Sequence, residues 1–332
     1  MEPNWPRINA DAANQQCCFE FQCSYSFQIG VHPRASPASL DIAPAKGMFT
    51  ITKAVSEDFE RVYPLFQGFE DAPIPKDDWK KIFDIPWHTK EDFCGYLLLK
   101  DGEIKGYLGV IFSRRELQGK IEKFGNMTSW IVTEDCRGQS ILLLLELLKL
   151  KDYTLTNFTA SETVAAILRK LGFEEFSVDQ QVLLPVPAFR LPRRDFSCDV
   201  DVQEIRRNLT GADLKIFEDH QQLNCQHLLL HSAHGDCYLV LKKTRRKNLS
   251  FAKVHYLSNA EVFHQSIESL ITTICVRLRV FGLMVDERYI PGQQFRRARH
   301  YPHQRKGYFK SPTIRDSNLI DTLYSELVIL HN

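Results

Sequence analysis

Alternation of apolar and polar positions begins abruptly at Met48. Phe49-Thr50-Ile51-Thr52-Lys53 is rich in β-branched residues and alternates, the pattern of a half-buried strand. Ser56 stands as an N-cap with Glu57 and Asp58 in the first turn, which opens a helix to about Gln67; Asp77 to Phe83 reads as a second, short helix. Phe93 to Lys100 and Ile104 to Ser113 are strands joined by Asp101-Gly102, a pair that tolerates the positive φ of a tight hairpin. Lys120 to Thr133 is a further strand. Arg137 to Lys151 is apolar almost all round, which predicts a helix buried against a sheet. Tyr153 to Thr159 is a strand, and Ser161 caps a helix that runs to Lys170 and stops at Gly172. Phe173 to Pro185 supplies one or two closing strands.

Pro185 to Arg194 holds Pro185, Pro187 and Pro192 among arginines and reads as a linker. Beyond it the order of elements repeats. Gly211 to His231 is expected to be mostly helical. Asp236 to Leu241 and Leu249 to Leu257 are strands joined by a basic turn, Lys242 to Lys247. Ala260 to Phe281 is a long amphipathic helix stopped by Gly282, and Leu283 to Arg288 is a strand. Val132-Thr133 before the first long helix corresponds to Leu257-Ser258 before the second. A diverged internal duplication accounts for this. The expected divisions are therefore 1–47, an irregular extension with five prolines; 48–190, a first α/β unit; and 191–332, a second. For residues 1–47, a translation start at Met48 and an N-terminal arm packed on the body both fit. Ile320 to Leu330 closes the chain, and its period does not choose between strand and helix.

Composition narrows the class. A chain of 332 residues fits two domains, and 44% hydrophobic with 25% charged residues is ordinary for a core-forming protein. This excludes a disordered, coiled-coil or collagen-like chain. The net charge of +1 gives no global attraction to nucleic acid or an anionic membrane. The nine cysteines are odd in number and contain no CxxC pair, which suits reduced thiols in a cytoplasmic protein. The most apolar stretch, Ile141 to Leu150, is interrupted by Glu146 and Lys149 and falls short of the roughly 20 apolar residues of a membrane span. No basic region precedes an apolar run at the N-terminus, so no secretory signal is read there.

The candidate chemistry lies in Val132-Thr133-Glu134-Asp135-Cys136-Arg137-Gly138-Gln139-Ser140-Ile141-Leu142. A strand ends, a short turn with Arg-Gly follows, and a buried helix begins. A helix start offers unpaired backbone N–H groups and the positive end of the dipole to a pyrophosphate. Gly138 and Ser140 let phosphate oxygens approach, and Arg137 adds a charge-assisted bond. This arrangement resembles the GNAT superfamily of acyl-CoA-dependent acyltransferases, whose signature at this place is Arg/Gln-x-x-Gly-x-Gly/Ala opening a helix after a strand. The resemblance runs from Met48 to Pro185 and includes the order of elements. Ser161 to Phe173, ending Leu-Gly-Phe, is similar to the family's N-x-x-A-x-x-x-Y-x-x-x-G-F helix.

The resemblance implies a mixed α/β (α+β), mostly antiparallel sheet flanked by helices, here duplicated. It implies acetyl-CoA or another acyl-CoA as donor, held by Arg137, Gly138, Gln139, Ser140, Ile141, Leu142 and Ser161. The main-chain amides of Ile131 and Val132 would hold the thioester carbonyl. The sequence departs from the pattern in three ways. Ser140 and Leu142 replace the second and third glycines, Ser161 replaces an asparagine, and Leu168 stands where many members carry the tyrosine that protonates the leaving thiolate. A leucine is no acid. Glu122 on the preceding strand and His88 in the loop after the second helix are the candidate bases; a solvent-facing glutamate and a packed Pro86-Trp87-His88 turn are the plainer readings.

The second half lacks the phosphate signature: its helix begins Ser258-Asn259-Ala260-Glu261-Val262, and Glu261 would repel a phosphate. His220, Cys225, His227, His231, His234 and Cys237 lie close in sequence and include types that hold zinc, yet no CxxC or HExxH organises them. They are read as packed side chains, and no metal is expected. Lys242 to Lys247 reads as a solvated hairpin tip. Arg288 to Lys310 carries seven Lys/Arg, no acids and several aromatics. It reads as a long loop, gripping the first domain or binding an anionic acceptor. The leading expectation is an acyltransferase with a small-molecule acceptor and neither nucleic-acid nor membrane partner. The alternative is an inactive acyl-CoA-binding protein, and nucleic-acid binding through the basic loops is a third reading. Neither acceptor nor oligomeric state can be read from the sequence.

Overall fold

A computed structural model of the chain describes residues 48–69, 74–89, 92–185 and 195–330. The expectations for residues 1–47 and for most of the linker lie outside the described residues. The first half runs β1 (Phe49–Ala54), α1 (Phe59–Phe66), α2 (Lys76–Lys80), β2 (Gly95–Lys100), β3 (Glu103–Leu117), β4 (Lys120–Val132), α3 (Ser140–Leu147), β5 (Thr154–Asn157), α4 (Glu162–Lys170), β6 (Glu174–Phe176) and β7 (Gln180–Leu183). The second runs β8 (Phe196–Asp199), α5 (Val202–Asn208), α6 (Gly211–His220), β9 (Gln226–Ser232), β10 (Gly235–Arg246), β11 (Leu249–Leu257), α7 (Ala260–Leu278), β12 (Gly282–Asp286), β13 (Ala298–Tyr301), β14 (Gly307–Lys310) and α8 (Glu326–Ile329).

These strands form two seven-stranded sheets of the same plan. One is ordered β1-β2-β3-β4-β5-β14-β6 and the other β8-β9-β10-β11-β12-β7-β13. In each, the first five strands follow chain order, and the fourth and fifth are parallel while every other neighbouring pair is antiparallel. A parallel pair needs a crossover, and α3 and α7 provide it. The sixth place is exchanged. β14, from the second half, lies between β5 and β6, while β7, from the first, lies between β12 and β13. The expected division at residue 190 thus puts each of these strands with the sheet it does not join.

Helices pack on both faces of each sheet. In the first, Leu98, Val110, Met127 and Leu155 pack under α3 and α4, while Leu97, Tyr107, Ile111 and Ile131 face α1 and α2. In the second, Leu230, Leu239, Val254 and Leu283 pack under α7. Leu229, Tyr238 and Val240 face α5 and α6. The C-terminal segment laces the halves together. Arg115 of β3 forms a buried ion pair with Asp321, His255 Nδ1 bonds Thr322 Oγ1 at 2.8 Å, and Lys242 Nζ donates to the carbonyls of Val328 and Leu330.

Several expected elements differ. Ser56 is not a cap; its hydroxyl donates to Phe83 O, while Asp58 Oδ2 accepts from Val55 N. The first long helix is preceded by a 3₁₀ turn over Glu134–Gln139 and starts only at Ser140. The segment ending at His231 is helical only to His220 and then becomes strand β9. α7 ends at Arg279 in the left-handed conformation (φ 54°), one turn before Gly282. Gly282 is glycine for another reason: a Cβ there would lie 2.6 Å from Leu183 O. The basic run from Lys242 is strand, with the turn at Lys247-Asn248, where both φ values are positive. Lys242 is buried, and burial pushes its ammonium down to about 8. The expected loop Arg288–Lys310 carries β13 and β14, and Arg288 is buried in a pair with Asp286 at 2.7 Å. Ile320 to Leu330 ends in α8.

Candidate active site

β4 and β5 pair only from Phe124–Asn126 to Thr154–Thr156, and beyond Asn126 they diverge. β4 also bulges at this point. Ser129 and Trp130 oppose the single residue Leu108, and Ser129 takes φ 50°, a region a non-glycine residue occupies at a cost of about 1 kcal/mol or more. Bulges of this kind re-aim the strand that follows. Thr133 N donates to Lys105 O at 2.8 Å. Amides alternate in direction along an antiparallel strand, so the N–H of Val132 turns away from β3, toward the side β5 has left, while that of Ile131 turns toward β3.

The 3₁₀ turn and α3 begin where β4 ends. Neither start has a side-chain cap; Arg137 and Gly138 are exposed and Gln139 is half-buried. Arg137 lies 3.8 Å from Glu134. A Cβ at Gly138 would meet no atom within 4 Å, and its φ is not positive, so neither packing nor backbone conformation requires glycine there. Ser140 and Ile141 are half-buried and Leu142 is exposed. The residues fit an anionic group that must come close to the backbone. The equivalent start in the second half is closed: Asn259 Oδ1 accepts from Val262 N at 3.1 Å.

The other expected residues are less concentrated. Ser161 caps α4, accepting from Val164 N at 3.4 Å. Leu168 is fully buried in the core under α3 and α4. Glu122 is on the opposite end of β4 from Val132, on the order of 30 Å away at about 3.3 Å per residue, and its Oε2 accepts from Thr313 Oγ1 at 2.7 Å. His88 is a packed side chain. β2 leaves β3 at Gly109, and Trp87 and His88 take over its edge: Phe112 N donates to His88 Nε2 at 3.2 Å and Trp87 Nε1 donates to Phe112 O at 2.9 Å. Burial pushes the imidazole down to about 4. Its Nε2 lone pair is occupied, so it is a structural acceptor. The histidine–cysteine cluster is dispersed: His227 bonds Tyr238, and His231 lies between Asp199 and Asp236. No group of three metal-ligating residues occurs among the described residues.

Glu326, which the sequence reading passed over, lies at the divergence. It is 1% exposed, accepting from Asn126 Nδ2 at 2.5 Å and Thr159 Oγ1 at 2.8 Å. Asn126 in turn accepts from Thr156 Oγ1. Desolvation raises the Glu326 carboxyl, against the two hydrogen bonds that lower it. The one available signal was a lone acid in the apolar run Leu323 to Leu330. Glu326→Leu leaves two buried polar groups unpaired and is expected to cost about 2–5 kcal/mol, whereas Glu326→Gln retains partners and costs far less; urea midpoints of the two variants check this.

Buried histidines give the protein an acid sensitivity. Burial pushes His227, like His88, down to about 4, and lowers His220 and His255 too. The unfolded chain therefore binds more protons below about pH 6.5, and stability present above that pH is lost as pH falls toward 4. Glu326 acts in the opposite sense, losing stability as pH rises above the usual carboxylate range, and is outnumbered. The urea midpoint is expected to fall steeply between pH 6.5 and 4, and the His88→Gln/His227→Gln double variant to flatten that slope.

No family model matches the sequence, and no curated sequence is similar to it. Solved structures are. A conserved protein of unknown function from Enterococcus faecalis V583, described as a probable N-acyltransferase, superposes with a TM-score of 0.52 at 12% identity, covering 80% of this chain and 73% of the other. The fold is that of the GCN5-related N-acetyltransferases. Two proteins of that description, from Anabaena variabilis (TM-score 0.51, 12% identity, 79% and 72% covered) and Kribbella flavida (0.51, 10%, 79% and 71%), superpose equally well. The GNAT fold occurs twice in the chain, once per sheet, and the expected mixed, mostly antiparallel architecture holds. The six cysteines among the described residues are free thiols, and none of the described helices is long and apolar enough to cross a membrane.

Proposed function

We propose that the protein transfers an acyl group directly from acetyl-CoA, or another acyl-CoA, to an amine or hydroxyl of a small cytoplasmic acceptor, without a covalent enzyme intermediate. The observation that carries this is the contrast between the two helix starts. The first is uncapped and open at Gly138, beside the diverging end of β4; the second is closed by Asn259. The pyrophosphate of the donor would rest at the start of α3, over Gly138 and the backbone leading to Leu142, where the Ser140 N–H already donates to Arg137 O, with the Arg137 guanidinium beside it. The Val132 amide would polarise the thioester carbonyl, so catalysis is mainly positioning and carbonyl polarisation.

Neither Glu122 nor His88 is placed to take a proton at that carbonyl. Leu168 cannot supply one to the thiolate, so the proton lost by the attacking amine or alcohol returns to the sulfur through water. The buried Leu168 also supports a second reading, a GNAT-fold protein that binds acyl-CoA without turnover. Release of free thiol from acetyl-CoA and longer thioesters, measured over a panel of amines and alcohols, separates the two. Acceptor-dependent release that Gly138→Glu removes is expected. Saturable binding with no release over the whole panel would establish the second reading.

A further inference from the structure

α5 and α6 cover only part of one face of the second sheet. Beyond them, over β11, β12 and β7, that face is open and forms a pocket of about 530 Å³. Its floor is apolar, with Phe251 and Met284 on the sheet and Leu249 and Phe281 at the rim, the last two 42% and 47% exposed. Volumes of roughly 300–1,000 Å³ with apolar walls and a few placed polar groups are those of small-molecule sites.

Two arginines stand among the polar groups on this wall, beside His300, Tyr301 and Gln304. Arg246, at the end of β10, has its Nε buried without a hydrogen-bond partner among the described residues. Arg299 of β13 is an exposed guanidinium on the same pocket. His300 also lines it, and its Nδ1 is taken by Glu287 at 2.8 Å. No aspartate or glutamate lines the pocket among the described residues. A buried donor left unpaired is destabilising, and a guanidinium pairs best with a carboxylate or phosphate. None of the lining residues comes from β4, β5, α3 or α4, so the pocket is separate from the candidate active site.

We propose that this pocket binds a single-chain amphiphile with an anionic head. The alkyl tail lies along Phe251, Phe281 and Met284, and the carboxylate or phosphate head meets Arg246 and Arg299. The site lies on the second sheet, where the equivalent helix start is closed by Asn259, and it does not depend on acyl-CoA binding at the first.

Calorimetric titration of the full chain with decanoate, decyl phosphate and decanol, each below its aggregation limit, tests this. The two anions are expected to bind one per chain, with decanol at least tenfold weaker. Tighter binding of decanoate identifies a fatty-acid-like ligand, and tighter binding of decyl phosphate a phosphate-headed one. Arg246→Gln/Arg299→Gln should bring both anions down to the decanol level. Phe281→Glu, an exposed position, should weaken the anions more than decanol while leaving the urea midpoint unchanged. The proposal is overturned if neither anion binds the folded chain, if decanol binds as well as the anions, or if anion binding survives both variants.

Discussion

Residues 48–190 expressed alone will show no cooperative unfolding transition. The first sheet is incomplete without β14, which supplies the hydrogen-bonding partner for both β5 and β6. It also brings Tyr308 and Phe309, each nearly fully buried, into the core. Ile314 and Ile320 follow in the cluster around Phe124, Phe158 and Phe176. Lys310 Nζ donates to Leu171 O at 2.9 Å, closing the end of α4. Removing one large aromatic from a core costs about 3–5 kcal/mol, and whole domains are stable by only about 5–15 kcal/mol. Losing two aromatics, two isoleucines and an interior strand exceeds that margin. The second half depends on the first in the same way through β7. The intact chain should therefore unfold in one transition, whether followed by the tryptophans of the first half or by far-UV circular dichroism. Co-expression of 48–190 with 191–332 should restore solubility, and Phe309→Ala in the intact chain should lower stability by about 3–5 kcal/mol. A fragment 48–190 that melts cooperatively by itself would contradict this.

Gly138→Glu should abolish acyl-CoA binding, by at least a hundredfold, and leave the fold intact. The site is exposed and a new Cβ meets nothing within 4 Å, so the change in stability should stay within about 0.5 kcal/mol, as for ordinary surface substitutions. The carboxylate would stand where the resemblance places the donor's phosphates. The second half carries an acid, Glu261, in the first turn of its own long helix, whose start Asn259 closes. Equal unfolding midpoints with unequal affinities are the expected pair of results. Unchanged affinity would move the phosphates elsewhere.

The order of elements in the first half is legible in the sequence because long alternating strands and a nearly all-apolar helix give strong, distinct periods. The positive-φ pair Asp101-Gly102 and the left-handed Gly172 mark their turns as expected. The exchange of β7 and β14 is not legible. Each is four residues long, and a short alternating run does not name its partner strand. β9 reads as helix because Leu228 to Leu230 is too short an apolar run to separate the two periods. The basic run from Lys242 reads as a solvated tip because charge masks the strand alternation that takes Lys242 inside. The long segment after Arg288 hides its strands among prolines and glycines.

At the candidate site, the helix start and its glycine are visible as a motif, and the departure at Leu168 is visible as a missing acid. The bulge is not, since Ser129 takes a positive φ with no glycine to announce it. Glu326 is invisible as a neighbour of Asn126 because it arrives from 200 residues away. Glu122 and His88 stand out in the sequence for their chemistry alone, and the fold uses one at a remote strand end and the other to close a sheet edge.

Under the proposed function, one of the two similar folds in this chain holds acyl-CoA and the other does not. Calorimetric titration of the full chain with acetyl-CoA tests it most directly. The predicted result is micromolar binding of one molecule per chain, matched by free coenzyme A because the phosphate contacts are shared, and removed by Gly138→Glu. No binding of acetyl-CoA or longer acyl-CoAs to the folded chain, or two equivalent sites per chain, would contradict it.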